Sequence, residues 1–234
     1  MLITGFAAGS WATNCYIVSS GPGEPCVIID PGQDSIDRIH ETLKEHSLAP
    51  AAVLLTHGHI DHVWSVAPIS DQFDIPAAIH ADDRYRLIDP AGSSFSAARD
   101  QLLAMTKNSL ELTEPSHIMV LSDGDELDMV GLTWRVRHAP GHTEGSVVFD
   151  VREPGGEFER MFSGDVLFAG SIGRTDLPGG DPAAMATSLQ RVIGSTPDHV
   201  EVLPGHGPQT TIGRERASNP YLLDAGLIPP GRGL

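Results

Sequence analysis

The chain has 234 residues, with 15 Lys and Arg against 31 Asp and Glu, for a formal charge of −16. This length suits one domain, and a hydrophobic share of 40% is enough to build a core, which excludes a wholly disordered chain. The acidic balance, without clustered Lys or Arg, excludes the electrostatic footprint needed to bind a nucleic-acid backbone or an anionic membrane surface.

The segment from Met1 to Val18 has no basic leader and no long apolar run, so it reads as strand rather than signal peptide. Short β-like runs span Leu2 to Phe6, Cys15 to Val18 and Cys26 to Ile29, the last entering a turn at Asp30-Pro31-Gly32. Cys15 and Cys26 are too few for a disulfide scaffold or a Cys-rich zinc site. They read as buried thiols of a reducing cytoplasm, with a single bridge between neighbouring strands as the alternative. Ile36, Ile39 and Leu43 share one face of a helix over Ser35 to His46. Ala51 to Leu55 reads as an apolar strand, Val63 to Phe73 as a helix and Ala77 to His80 as a short strand.

Residues 81–116 are polar with scattered Leu, Ile and Met. They read as two helices broken at Pro90-Ala91-Gly92, either a lid or ordinary outer packing. Strands return at Glu126 to Val130, Leu132 to His138, Val147 to Val151 and Arg160 to Phe162. Pro182 to Ile193 is a helix with Asp181 as its cap and Pro at its first position, followed by a buried strand at Val200 to Leu203. No stretch approaches the roughly 20 apolar residues of a membrane-spanning helix. Strands and helices in two batches predict a layered α/β fold, one unit over residues 1–234, rather than a single alternating parallel sheet.

The strongest chemical signal follows the strand Ala51 to Leu55: Thr56-His57-Gly58-His59-Ile60-Asp61-His62. If the chain leaves the strand still extended, His57 and His59 project to the same side, and Asp61 and His62 open the next helix. Imidazole and carboxylate together suit zinc, iron or manganese. Three further segments repeat one design, an apolar strand ending in a polar residue beside a glycine. They lead to His142 in Gly141-His142-Thr143, to Asp165 after Ser163-Gly164, and to His206 in Gly205-His206-Gly207. A Pro-Gly-His turn alone is usually only a turn; the conjunction of four strand ends is what points to a metal centre.

In this order and spacing the motifs resemble the metallo-β-lactamase superfamily. Asp30 supplies its first motif, His57/His59/Asp61/His62 the second, His142 the third, and Asp165 and His206 complete the set. The resemblance implies a four-layer αββα sandwich, the metallo-β-lactamase fold. Phe162-Ser163-Gly164-Asp165-Val166-Leu167-Phe168, the following Ala169 to Asp176, Leu203 to Gly207, Thr210 to Gly213, Glu215-Arg216 and Asn219-Pro220-Tyr221 are similar to the short hydrolases of its glyoxalase II-like branch.

The resemblance implies two divalent metal ions, zinc first with iron or manganese as alternatives. His57, His59 and His142 would bind one and Asp61, His62 and His206 the other, with Asp165 bridging. Asp30 would support the His cluster without touching metal. The implied reaction is hydrolysis of a small-molecule acyl-thiol, such as an S-2-hydroxyacyl thioester. A hydroxide held by the ions attacks the carbonyl, Asp61 holds its proton, and no separate nucleophile is needed. Arg174 is the candidate substrate contact, with an ion pair to Asp176 or Asp181 as the alternative. Thr175 and Asp176 stand where glyoxalase II has aromatic residues, and the residues after His206 are too few for that enzyme's C-terminal helical domain, so the carrier thiol stays open.

Other members of the superfamily give other expectations. A persulfide dioxygenase uses one iron on two His and one carboxylate, and lacks a His in the setting of His206. A lactonase or β-lactamase-like hydrolase would use similar metals. An inactive metal-binding or redox-sensing scaffold is the non-enzyme alternative. His40, His46, His80, His117, His138 and His199 read as structural or solvent-exposed.

Overall fold

Four successive apolar residues, Cys26-Val27-Ile28-Ile29, point alternately to opposite sides of a strand, so both sides must be covered. The computed structural model describes residues 1–90 and 112–223 and supplies that cover. The first sheet has six strands in the order β1 (Leu2–Ala8), β2 (Thr13–Ser19), β3 (Pro25–Ile29), β4 (Ala49–Leu54), β5 (Ala77–His80) and β6 (Ile118–Leu121). β1, β2 and β3 are antiparallel, and β3 to β6 are parallel. The second sheet runs from β7 (Glu126–Met129) through β8 (Leu132–His138), β9 (Val147–Arg152), β10 (Arg160–Gly164) and β11 (Glu201–Pro204) to β12 (Thr210–Thr211). There only β10 and β11 pair in parallel.

Three hydrophobic layers separate four structural ones. Tyr16, Val18, Val27, Ile29 and Leu54 meet Trp134, Val136, Phe149, Phe162 and Leu203 between the sheets. The alternate residues Cys15, Ile17, Cys26, Ile28 and Val53 face outward onto helix α1 (Ile36–His46) and helix α3 (Val66–Phe73), where Ile39, Leu43, Val66 and Ile69 receive them. On the far side Val148, Met161 and Val202 pack on Met185, Leu189 and Val192 of helix α4 (Pro182–Gly194). The result is the expected αββα sandwich. Full burial of each large aliphatic or aromatic side chain contributes about 1.5–3 kcal/mol.

The helix read over Val63 to Phe73 is two helices, α2 (Ile60–Val63) and α3, interrupted at Trp64 and Ser65. Ser65 spends its donors on the turn after β3: its N–H bonds Pro31 O and its hydroxyl bonds Gly32 O. Ala81–Leu87 is a 3₁₀ turn rather than the start of an α-helix. Residues 88–90 and 112–116, also read as helical, are turn and irregular chain, and the rest of that reading, with the lid, falls on residues 91–111, outside the described residues. The edge strands β6 and β12 have no counterpart in the sequence reading. Two short helices, α5 (Ile212–Ser218) and α6 (Pro220–Leu223), close the described chain.

Cys15 and Cys26 are buried and free, with burial pushing the Cys26 thiol up to about 12 and Cys15 well above its ordinary value. Such thiols pack as small hydrophobes and are unreactive. Among the described residues no helix is long and apolar enough to cross a membrane.

Candidate metal centre

The C-terminal ends of β3, β4, β8, β10 and β11 deliver the candidate ligands to one edge of the sandwich. Asp30 leaves β3 and is 2% exposed, and its carboxylate is filled by three donors. Oδ1 accepts from Thr56 N at 2.9 Å, and Oδ2 accepts from Thr56 Oγ1 at 2.7 Å and faces His62 Nδ1 at 3.0 Å. Asp30 therefore contacts His62 directly and His57 through the Thr56 hydroxyl. His59 keeps an extended backbone (φ −67°, ψ 148°), so His57 and His59 project together, and the helical turn of α2 then swings Asp61 and His62 back toward them.

The ring nitrogens converge. His57 Nε2 lies 3.2 Å from His59 Nδ1, which lies 2.7 Å from His142 Nε2. Asp61 Oδ2 lies 3.3 Å from His62 Nε2 and 3.1 Å from His206 Nε2. Asp165 reaches both groups, with Oδ1 3.4 Å from His62 Nε2 and Oδ2 3.4 Å from His142 Nε2 and 3.6 Å from His206 Nε2. His57, His59 and His142 form one group able to hold a metal ion, Asp61, His62 and His206 a second, and His57, His62 and Asp165 an overlapping third.

The outward nitrogens of four of the rings meet partners. His57 Nδ1 meets the Thr56 hydroxyl at 3.1 Å and His62 Nδ1 meets Asp30. His142 Nδ1 meets the Arg174 carbonyl at 2.7 Å, and His206 Nδ1 meets the Trp11 carbonyl at 3.1 Å. An acceptor on Nδ1 puts the proton there and leaves the Nε2 lone pair facing inward. Inside, His62 Nε2 and Asp165 Oδ1 are buried with no hydrogen-bond partner. Buried polar atoms without partners are costly, and lone pairs converging at about 3 Å repel. Divalent cations remove both penalties, so the donor set fits two of them.

Charge divides the cluster in two. Burial pushes His57 and His59 well below the ordinary imidazole range, and the neighbouring imidazoles push the same way. Burial also lowers His142, against the pull of Asp165 and of the Arg174 carbonyl. This triad is neutral and ready to ligate. Burial would lower His62 too, but Asp61, Asp165 and Asp30 outweigh it and hold the ring well above its ordinary value. His206 is raised against its own burial by Asp61 and Asp165. Burial would raise Asp61, but His62 and His206 outweigh it and hold the carboxyl well below its usual range.

Arg174 sits on the loop after Asp165, and its guanidinium forks onto Asp176 at 2.7 and 2.8 Å, the ion-pair alternative. The contribution of Arg174 to the cluster is its backbone carbonyl on His142. His80 and His138 stack with ring centroids 4.0 Å apart and planes 10° from parallel, and with the exposed Asp82 they form a further group close enough to hold an ion, outside the doubled ligand set. The sequence reading missed Thr13, whose hydroxyl donates to Asp61 Oδ2 at 2.8 Å, and the hydroxyl of Thr56. It also missed the buried Asp83 and Arg86. Hydroxyls and carbonyls that act through ligands have no spacing signature; Thr56, adjoining the motif, was the most findable.

The profile of the metallo-beta-lactamase superfamily matches residues 8–208, and the chain belongs to that superfamily. An uncharacterized protein of Mycobacterium tuberculosis is 44% identical over 224 residues, 95% of this chain and 98% of its own length. A probable metallo-hydrolase of Bacillus subtilis is 34% identical over 92% of this chain and 94% of its own. The hydroxyacylglutathione hydrolase GloC of Haemophilus influenzae is 32% identical over 89% and 92%. Among solved structures, the BLEG-1 B3 metallo-beta-lactamase superposes with a TM-score of 0.80 at 35% identity, over 94% of this chain and 99% of that one. TTHA1623 in a di-iron-bound form superposes with a TM-score of 0.75 at 37% identity, over 94% and 100%. Members of the superfamily are metal-dependent hydrolases.

Proposed function

We propose that this chain is a dinuclear metal-dependent hydrolase that cleaves a small acyl-thiol, a thioester such as an S-2-hydroxyacyl thiol, in the cytoplasm. The observation that carries the proposal is the doubled ligand set. His57, His59 and His142 form one triad and Asp61, His62 and His206 another, with Asp165 in reach of both. Two divalent ions, zinc first, would supply an acidified water and polarise an acyl carbonyl at neutral pH. Thr13 and His206 hold Asp61 Oδ2 in place, at 2.8 and 3.1 Å, where the carboxylate can take the proton of the attacking water. Asp165 sets the spacing of the triads. Arg174, 43% exposed at its side chain, is the cation available to an anionic thiol carrier if it exchanges Asp176 for substrate.

The thioester is favoured because a thiolate is a soft leaving group suited to zinc, and because GloC is named for hydroxyacylglutathione hydrolysis. The test is thiol release from a panel of lactoyl and other hydroxyacyl thioesters, with metal content measured on the same sample. Two metals per chain and thiol release are expected; His59→Ala should lose the metal of its own triad, Asp165→Ala should lower bound metal at both, and each should lose turnover while remaining folded. Full activity in a metal-depleted Asp165→Ala protein would sink the mechanism. Lactone or β-lactam cleavage without thioester cleavage would move the substrate class. One iron per chain, with oxygen consumed alongside glutathione persulfide, would replace hydrolysis by dioxygenation; the presence of His206 speaks against that outcome.

A further inference from the structure

The 3₁₀ turn Ala81–Leu87 lies outside the ligand set, yet it carries two charges taken fully out of water, Asp83 at 0% and Arg86 at 1% exposure. Desolvating a carboxylate is costly unless its lone pairs are filled. Those of Asp83 are filled by two particular loops. Oδ2 accepts from Gly58 N at 2.7 Å and from Thr143 Oγ1 at 2.6 Å, and Oδ1 accepts from Gly145 N at 2.8 Å. Gly58 separates His57 from His59, and Thr143 follows His142. One buried carboxylate therefore ties together the two loops that carry the whole three-His triad.

Arg86 extends the tie to a third loop. Its Nε lies 3.3 Å from Asp83 Oδ1, and its Nη2 donates to Glu144 Oε2 at 2.7 Å and to Pro178 O at 2.8 Å. Pro178 is on the loop whose Arg174 carbonyl orients His142. The approach is close: a Cβ on Gly58 would stand 2.5 Å from Arg86 Cβ. The second triad is braced instead by Asp30, Thr13 and the Trp11 carbonyl. Asp30 also reaches His57 through the Thr56 hydroxyl, but Asp83 touches only the loops of the three-His triad.

We infer that Asp83 is a positioning residue for the three-His metal position, setting the affinity of that position and not of its neighbour. This rests on the dinuclear reading above. Without Asp83 the loops at His57–His59 and His142 lose their common anchor, and the three nitrogens lose their fixed separation. Loss of such supporting partners typically weakens metal binding 10–100-fold.

The test isolates each position. In a His206→Ala background the three-His position remains, and in a His59→Ala background the Asp61/His62/His206 position remains. Zinc affinity is measured in both by chelator competition, with and without Asp83→Asn, together with the melting temperature of each metal-free protein. The expected result is a loss of about 10–100-fold in the first background and none in the second. Equal affinities with and without Asp83→Asn, or equal losses in both backgrounds, overturn the inference. If Asp83→Asn does not fold, Thr143→Val, which removes one of the three donors, carries the test. It should weaken zinc in the first background alone, and no change there overturns the inference. Failure of both backgrounds to bind zinc before Asp83 is altered would sink the dinuclear reading itself, and this inference with it.

Discussion

A Cβ added to Gly205 would stand 2.2 Å from Asp165 Oδ1 and 2.8 Å from His62 Cε1. These distances are far inside contact, and the atoms they displace are the carboxylate that reaches both triads and a ring of the second. Gly205→Ala is therefore expected to lower bound metal, read by elemental analysis, and to cut any hydrolytic rate by about 100-fold, the cost of roughly 1 Å of misplacement. At the same scale, the hydroxyls of Thr13 and Thr56 show how the ligands are held. Each is a short side chain donating to a carboxylate that in turn holds a ligand or is one.

The elements set the angles at which these residues arrive. Asp181 caps α4 through Oδ1, which accepts from Ala183 N at 2.8 Å and Ala184 N at 3.1 Å, and Pro182 occupies the first helical position. The helix lies against the second sheet, and the backbone of its cap, not the Asp181 side chain, bonds Gly141 beside His142. Asp181→Ala should cost about 1 kcal/mol in urea denaturation and leave metal content unchanged; loss of metal would show that the cap also holds the His142 loop. The break between α2 and α3 has the reverse significance. Ser65 leaves the helical pattern to bond the turn after Asp30, which anchors α2 over the ends of the strands. Hydrophobic spacing continued through Trp64 and Ser65, so the pattern alone read one helix where there are two.

For the whole molecule, the opposed imidazole shifts give the metal-free protein a distinctive pH dependence. His57, His59 and His142 are lowered in the fold, so their contribution is intact above the unfolded value near 6.5 and is lost as pH falls below it toward the folded values. His62 and His206 are raised, so their contribution is full below about 6.5 and is lost as pH rises through the folded values. Chelated protein should therefore be most stable near pH 6.5 and lose stability on both sides, in urea titrations from pH 5 to 9. An ion held by Asp61, His62 and His206 would need His62 neutral and should move the optimum upward. A metal-free optimum above pH 8 would contradict the charge division of the site.

The chain itself determined the fold class and the candidate ligands. Apolar runs buried on both faces require two covering layers, and metal-competent side chains beside glycines at strand ends are chemically conspicuous. The αββα sandwich and the cluster of His57, His59, Asp61, His62, His142, Asp165 and His206 were legible for that reason. Tertiary structure alone decided what holds the ligands. Asp83 lies in a polar stretch that reads as an outer helix, and its carboxylate meets Gly58 and Thr143 only because β5 ends beside both loops. Arg174 serves His142 through a carbonyl, which every residue possesses and no sequence pattern marks. Ligand chemistry is written in residue types; its support is made of long-range hydrogen bonds, whose partners are set by topology and not by spacing.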